Sequence, residues 1–340
     1  MPDQKKVGSL RSYLKLLHKA LRKIERRNNG KGVVVYRGHA DETYTFMPSL
    51  FRPGNENIRA NESKLLHHIE AARPSDFEDK TTLDKLVTLQ HYEFPTRLLD
   101  VTSNPFVALY FAALDHQEKD GAVVVCKVPE DMIRDFDSEF VVQLAILAKL
   151  SDDEKKNLEK SLFEQSNKKS VGIPPKKEVS KRNMTDEEIA NKASGDKGVP
   201  EETAERAAPE EDMNNLNADD AKSHSNDAGK KIIERYISLI EAEMLSYTKK
   251  PLLEDLRRPV YVKPKQTNPR ILAQQGAFLL FGLSENLEGI TQEIITINCS
   301  AKSEIIRELD TFAGINQGTL FPELDKFLTY TRQCARDGII

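Results

Sequence analysis

The stretch QHYEFPTRLLDVTSNPFVALYFAAL, residues 90–114, places several polar groups directly ahead of a long apolar run. Asn104 suits the N-cap of a helix, and Pro105 suits the first helical position, where a missing N–H costs nothing. Every residue from Phe106 to Leu114 is apolar, which predicts a helix that is covered on all sides. The start of this helix is therefore expected to lie inside the protein.

The residues ahead of the helix favour a binding or reactive loop at that buried start. An extended turn is predicted at residues 93–95, because a residue before proline avoids the helical region. Arg97 and Asp100 follow among leucines, and buried charges need partners. They pair with each other, or Arg97 reaches an anionic ligand. A ligand is not required, since Asp100, Thr102 or Ser103 could satisfy the free N–H groups of the helix start.

Two further elements carry polar residues at strand ends. Arg37 ends a valine-rich strand and precedes Gly38, where the backbone could approach a ligand closely, so the pair resembles a phosphate clamp. A structural ion pair at Arg37 is the alternative. In NPRILAQQGAFLLF, residues 268–281, strand alternation would send Gln274 and Gln275 to opposite faces, so one of them would face the interior or a cleft.

The bulk composition narrows the class of protein. The net charge of −4 argues against a nucleic-acid binder that works through bulk charge. The three cysteines are far apart and odd in number, which predicts a reducing, cytoplasmic setting without a disulfide framework. No apolar run approaches the roughly 20 residues of a membrane span, so we expect no membrane association.

The domain organisation follows from a sharp change in composition. Residues 166–229 lack aromatics, are poor in Leu and Val and are rich in charged and small polar residues, so they cannot bury enough apolar area to fold. We predict one domain formed by residues 1–165 and 230–340, with 166–229 as a flexible charged insertion.

The apolar periodicity predicts interleaved helices and strands. The fold class is therefore α/β (α+β): a single mixed domain of short strands and surrounding helices. Helices are expected over 9–28, 61–72, 82–92, 105–117, 138–163 and 231–248, and in AKSEIIRELDTFAGI and FPELDKFLTYTRQCARDG. Strands are expected in GKGVVVYRG, GAVVVCKV, RPVYVKP, GAFLLFG and QEIITIN.

Several common catalytic signatures are missing from the chain. It has no P-loop, no G-x-G-x-x-G entering a helix, no H-E-x-x-H, no Cys-x-x-Cys pair and no G-x-S-x-G elbow. We therefore expect no metal site, and we expect neither a kinase nor a serine hydrolase.

Three ordered blocks resemble the FRG domain family, whose name reflects an aromatic-Arg-Gly motif. That motif is Tyr36-Arg37-Gly38 here, followed by Pro48-Ser49-Leu50 and Arg52. The block QHYEFPTRLLDVTSNPFVALYFA matches the family's centre, and RILAQQGAF and FPELDKF match its final third. Residue 93 departs from the family, which often has glycine there, and residue 101 departs where the family often has an aromatic residue.

The order of these motifs is also similar to that of the ADP-ribosyltransferase fold, whose enzymes split NAD and transfer ADP-ribose. The likeness implies that Arg37 holds the NAD phosphate or ribose, that Thr102 and Ser103 shape the nicotinamide pocket, and that Gln275 takes the late-strand catalytic position. With them, the NAD site would comprise Tyr36, Gly38, His91 and Arg97. No Glu occurs within 268–281, so either Asp100 would supply the negative charge for the ribosyl cation, or the enzyme would rely on positioning and on Gln275.

The resemblance implies an NAD-dependent ADP-ribosyltransferase that acts as a toxin or antiphage defence effector. Its partners would be a macromolecular acceptor (RNA, DNA or protein) and an antitoxin or regulator. A non-catalytic nucleotide or nucleic-acid binding module of the same fold is the alternative. A third hypothesis is an interaction protein that works through residues 166–229.

Overall fold

The computed structural model describes residues 6–170, 216–265, 268–336 and 338. Residues 171–215 of the predicted insertion lie outside these ranges. The parts on either side are helical rather than irregular, since one helix ends at Ser170 and the next begins at Leu216.

Helices surround the sheet on the described part of the chain. They are α1 (Leu10–Arg27), α2 (Glu56–Ala60), α3 (Glu62–Ala72), α4 (Pro74–Phe77), α5 (Thr82–His91), α6 (Pro105–Leu114), α7 (Glu139–Ile146), α8 (Asp152–Ser170), α9 (Leu216–Glu241), α10 (Leu253–Arg257), α11 (Pro269–Ala273), α12 (Lys302–Ala313), α13 (Gln317–Leu320) and α14 (Leu324–Arg336). None of those in the described ranges is both long enough and apolar enough to cross a membrane.

Seven strands of the described residues form one mixed sheet in the order β4-β5-β6-β2-β1-β3-β7. They are β1 (Gly32–His39), β2 (Leu98–Thr102), β3 (Gly121–Pro129), β4 (Ile133–Asp135), β5 (Val260–Lys263), β6 (Gly276–Leu280) and β7 (Thr291–Ile297). Neighbouring strands are antiparallel except for β4 and β5, which are parallel. This arrangement confirms the predicted mixed α/β class.

The two faces of the sheet are covered differently. Alternate strand residues point to opposite faces, and one face carries a single apolar cluster that includes Leu50 and Phe51 from a short 3₁₀ turn. The other face carries two clusters. One packs β2, β5 and β6 against α5, α7, α8 and α9, and the other packs β1, β3 and β7 against α1, α6 and α12. The boundary between these two clusters runs along β1 and β2.

That boundary is also a weak seam in the sheet. Strand β1 pairs with β3 along its whole length, but it pairs with β2 at one position, Tyr36 opposite Thr102. Strand β2 instead pairs along its length with β6. The two halves of the sheet therefore diverge beyond this pair, and the space between them is open to side chains.

Most of the predicted elements are confirmed. The helix α6 begins at Pro105, and the side chain of Asn104 caps it by accepting from the backbone N–H of Phe106 at 2.9 Å. It ends at Leu114, short of the predicted 117. Gly314 ends α12 with a left-handed φ of 63°, as its sequence predicts.

Three predictions about elements were wrong. Leu98–Thr102 is not a loop but the central strand β2, because its two leucines and Val101 enter the apolar clusters on both faces. The single helix predicted over 138–163 is divided into α7, a 3₁₀ turn and α8. The final helix begins at Leu324, after Pro322, rather than including it.

Candidate functional site

A cavity of about 420 Å³ lies at the seam between β1 and β2. Its walls come from both halves of the sheet, from the end of α5 and from α11. Its apolar lining includes Tyr36, Val87, Phe94, Leu98, Phe111, Ile271 and Phe278, and its polar lining includes Arg37, His39, Ser49, Arg52, Gln90, His91, Asp100, Arg270 and Gln274. Apolar walls with a few convergent polar groups are typical of ligand sites, and the volume lies within their usual range.

Arg37 spans the seam where the strands diverge. Its Nη1 donates to the backbone oxygen of Asp100 at 2.5 Å and lies 3.6 Å from the carboxylate oxygen Oδ2 of the same residue. Its Nε is buried and has no hydrogen-bond partner among the described residues. The guanidinium therefore connects the two halves of the sheet and still retains a donor for another group.

Asp100 presents its carboxylate to the cavity from the middle of β2. The side chain is 52% exposed, although its neighbours in the strand are buried. Its Oδ2 accepts from Gln90 Nε2 at 2.7 Å, and Gln90 Oε1 in turn accepts from Thr96 Oγ1 at 2.6 Å. The carboxylate is thus held in one orientation, and within the described ranges its Oδ1 accepts no hydrogen bond.

His39 is the most unusual polar residue of the cavity. It is 3% exposed, and its Nε2 has no hydrogen-bond partner in the described part of the chain. Burial, and then the charges of Arg37 and Arg52, lower the pKa of His39 to about 3. The ring is therefore neutral at ordinary pH, between two arginines.

Arg52 and Arg270 add positive charge to the cavity. Arg52 Nε and Nη2 both donate to the backbone oxygen of Met47 at 3.2 Å, which fixes its guanidinium beside the strand β1. Burial lowers the pKa of Arg52, and Asp100 acts in the opposite direction. Arg270 lies over the ring of Phe321, 4.9 Å from its centroid. The charged residues that line the cavity are therefore three arginines, Asp100 and Glu93.

The structure brings together most of the residues predicted for the site. Tyr36, Arg37, Gly38, His91, Asp100 and Thr102 all line the cavity. Thr102 Oγ1 donates to the backbone oxygen of Gln274 at 2.8 Å and accepts from the backbone N–H of Asn104 at 3.0 Å. It therefore links β2 to the start of α6, whose N–H at Phe106 is capped by Asn104 rather than by Thr102.

The glycine of the aromatic-Arg-Gly motif has a packing role that the sequence interpretation missed. A Cβ at Gly38 would overlap the backbone oxygen of Ala108 and crowd the backbone nitrogen of Ala112 in α6. The close approach that requires glycine is therefore made by a helix of the protein itself. This contact holds α6 against β1 beside the cavity.

Arg97 lies outside the cavity, contrary to expectation. It is 2% exposed, and it forms a bidentate pair with Glu62, with Nε to Oε1 at 2.9 Å and Nη2 to Oε2 at 2.5 Å. Its Nη1 donates to the backbone oxygens of Phe281 and Gly282. The predicted pairing of Arg97 with Asp100 is therefore wrong, because Arg97 is buried with a carboxylate from α3.

Gln275 and Ser103 also lie apart from the cavity lining. Gln275 is exposed in the turn before β6, with a left-handed φ of 46°, so the strand alternation assumed for it does not apply. The backbone N–H of Ser103 donates to the backbone oxygen of Gln275 at 3.1 Å. The neighbouring Gln274 is the glutamine that lines the cavity, and its Nε2 donates to the backbone oxygen of Leu320 at 3.2 Å.

Sequence reasoning did not place His39, Gln90, Arg52 and Arg270 in the site. His39 stands two residues after Arg37 and shares a strand face with it, because β1 extends to His39. Gln90 stands at the end of α5. Its contact with Asp100 could not be predicted, because the strand β2 that carries Asp100 was not predicted. Arg52 belongs to a motif that the sequence shows, but the sequence does not show that this residue lies beside Arg37 and His39.

The mixed sheet, whose seam opens into a cavity with arginines and a fixed carboxylate, defines the class of protein as a mixed α/β domain with a candidate site at that seam. Residues 32–121 match the family model of the FRG domain. The chain therefore carries an FRG domain, and the resemblance expected from its motifs is confirmed. The match contains β1, β2 and the cavity residues between them. Comparison with curated proteins found no match, and neither did comparison with solved structures. The more distant likeness to the ADP-ribosyltransferase fold stays a prediction.

Proposed function

We propose that the cavity binds NAD and that the protein transfers ADP-ribose from NAD to a macromolecular acceptor. The observation that supports this most is the pairing of Arg37 and Asp100 across the seam: a partly buried cation with an unused, buried Nε donor faces a half-exposed, oriented carboxylate. In this proposal the reaction takes place in the cytoplasm, the protein is a toxin or antiphage defence effector, and an antitoxin or other regulator restrains it.

The residues of the cavity fit the parts of NAD. Arg37 Nε and His39 Nε2 are buried without partners in the described ranges, and each would gain one from a bound ligand. Arg37, with Arg52 beside it, would hold the phosphates, since a guanidinium binds oxyanions through two parallel hydrogen bonds. Tyr36 and Thr102 line the cavity next to these groups and would contact the nicotinamide end.

Asp100 would stabilise the positive charge that develops during the transfer. The bond between the nicotinamide nitrogen and ribose C1 breaks with its electron pair going to nicotinamide, and C1 then bonds to an oxygen or nitrogen of the acceptor, which loses its proton. Positive charge develops on the ribosyl group during this exchange, and a fixed carboxylate stabilises it. Gln90 holds one oxygen of Asp100, which leaves Oδ1 for the ribosyl group.

The test is an assay of nicotinamide release and of label transfer from adenosine-labelled NAD to RNA, DNA and protein acceptors. The variants Asp100→Asn and Arg37→Ala should each lose about 100-fold or more of the activity. Asp131→Asn is a matched control, because Asp131 pairs with Arg258 at 2.9 Å on the exposed surface and does not line the cavity. The proposal would be overturned if the wild-type protein released no nicotinamide and transferred no label to any of the three acceptor classes.

A second candidate function is a nucleotide-binding module without turnover. It is favoured by the position of Gln275, which is exposed outside the cavity lining, and by the pairing that Asp100 already has with Gln90 and Arg37. Under this hypothesis NAD raises the unfolding temperature of the protein and is recovered intact. The Arg37→Ala variant would abolish the shift in unfolding temperature.

A further inference from the structure

His39 is a buried histidine with a ring nitrogen that has no hydrogen-bond partner among the described residues. It lies on β1, lines the cavity and is 3% exposed, yet its Nε2 has no hydrogen-bond partner in the described part of the chain. Buried polar side-chain atoms almost always have a partner, because an atom without one has lost its hydrogen bonds to water and gained none. A bound ligand would supply the missing partner.

The two arginines beside His39 also have unused donors. Arg37 is two residues earlier on the same strand, so both side chains project from one face of the sheet. The Nε of Arg37 is buried without a partner among the described residues. Arg52 uses Nε and Nη2 on the backbone of Met47, and no hydrogen bond of its Nη1 is found within the described ranges. These guanidinium groups require acceptors, and an oxyanion of a ligand provides them.

His39 itself requires the opposite kind of partner. Its Nε2 is the free nitrogen, and the backbone of Tyr44 raises the pKa of the ring and so favours a proton there, which we assign to Nδ1. In a neutral imidazole that carries its proton on Nδ1, Nε2 is a hydrogen-bond acceptor. The neighbouring arginines disfavour a second proton, so Nε2 accepts from a donor on the ligand. A hydroxyl group is such a donor.

We propose that Arg37, His39 and Arg52 form a subsite for the ribose phosphate of a free ribonucleotide, in which a ribose hydroxyl donates to His39 Nε2 and phosphate oxygens accept from the two arginines. The geometry requires a ligand with a hydroxyl donor close to an oxyanion, and a ribose with its phosphate has both. This inference rests on the proposed function, because NAD carries this group. It adds that the ribose hydroxyl is a determinant of recognition.

The experiment is calorimetric titration of the full-length protein with ADP, 2′-deoxy-ADP and 3′-deoxy-ADP. At least one deoxy analogue should bind about tenfold or more weakly than ADP, since it leaves the buried Nε2 without a partner. His39→Leu should weaken ADP to the level of that analogue and leave the binding of the analogue itself unchanged. Equal binding of the three nucleotides, no binding of ADP, or an equal loss for all three in His39→Leu would overturn the proposal.

The variant is expected to fold. His39→Leu removes a buried polar atom that has no partner, so its unfolding temperature should equal or exceed that of the wild-type protein. His67→Leu is the matched control, because His67 is exposed on α3 and does not line the cavity. It should bind ADP and both analogues as the wild-type protein does.

Two further arms separate the alternatives. A 5′-phosphorylated RNA oligonucleotide carries the same ribose phosphate, and if it binds more tightly than ADP, the ligand is an RNA end and the proposed free ribonucleotide is wrong. Turnover of NAD is measured independently of these titrations. Hydroxyl discrimination without NAD cleavage would refute the proposed function and retain the subsite, whereas NAD cleavage without discrimination would do the reverse.

Discussion

Two arginines of the FRG domain, Arg37 and Arg97, lie beside the central strand β2 and have opposite environments: Arg97 is buried, whereas 19% of the Arg37 side chain is exposed. Arg97 has a bidentate carboxylate partner in Glu62 and two backbone acceptors, and Lys155 Nζ reaches the same carboxylate at 2.7 Å. Arg37 has one backbone acceptor, the half-exposed carboxylate of Asp100 at 3.6 Å and an unused Nε.

The difference separates a structural ion pair from a site that can accept a ligand. Burial alone would raise the pKa of Glu62, but Arg97 and Lys155 outweigh it and lower the pKa to about 2. The donors and acceptors there are used within the protein. Around Arg37 the seam between the strands leaves donors unused and a carboxylate open, so the same residue types are available for binding.

The largest effect is expected from removing the two arginines in turn. Arg97→Leu should lower the free energy of unfolding by about 3–5 kcal/mol, because Glu62 would remain buried beside Lys155 alone. Arg37→Leu, the matched variant, should cost less than about 1 kcal/mol, since its partner Asp100 is half exposed. Urea unfolding measures both. If the two variants lost equal amounts of unfolding free energy, the proposed difference between the Arg37 and Arg97 regions would be wrong.

The dependence of stability on pH should come from the Glu62 region. The folded pKa of Glu62 is about 2 and the unfolded one is about 4.5, so its stabilisation is complete above the unfolded value and is lost as the pH falls towards 2. Between pH 6 and pH 3 this amounts to about 2 kcal/mol. The difference in unfolding free energy between the wild type and Glu62→Gln should narrow by that amount. A constant difference would contradict the low pKa.

A smaller effect is expected from loosening the carboxylate of the cavity. Gln90→Leu removes the hydrogen bond at 2.7 Å that orients Asp100, so turnover of NAD should fall about tenfold with little change in KM. Steady-state kinetics measure the two parameters separately. A rise in KM at unchanged turnover would show that Gln90 binds the substrate rather than orienting the carboxylate.

The smallest effect concerns the helix that borders the cavity. Asn104→Ala removes the cap on α6 and should lower the free energy of unfolding by about 1 kcal/mol. Because the capped N–H belongs to the helix and not to the site, binding of ADP should be unaffected. Thermal unfolding and titration with ADP test the two statements, and a loss of ADP binding would place the helix start within the site.

The elements of the fold were largely predictable from local patterns. The apolar spacing of α1, α5 and α12 and the valine runs of β1 and β3 are properties of neighbouring residues, and the structure confirms them. The strand β2 was not predicted, because its five residues include Asp100 and stand between Pro95 and Asn104, which favour a loop. Its assignment as a strand depends on β6, which lies more than 170 residues later in the chain.

The sequence predicted the types of residue in the candidate site, but it did not predict correctly which of the candidate residues line the cavity. The aromatic-Arg-Gly motif pointed to Arg37, and the polar stretch pointed to Asp100, and both line the cavity. Arg97 stands three residues from Asp100 in the sequence, and its actual partner Glu62 is 35 residues away on α3. No local pattern distinguishes these two partners for a buried arginine.

The sequence by itself therefore determined most of the segments that form helices and strands, and the motifs that match an FRG domain, because periodicity and motifs depend on residues close along the chain. The tertiary structure alone decided that β1 and β2 meet at a single pair, that Arg97 pairs with Glu62, and that His39 is buried beside two arginines with a free nitrogen. The physical reason is that burial, hydrogen bonding and charge pairing depend on distances in space between segments that are far apart in the chain.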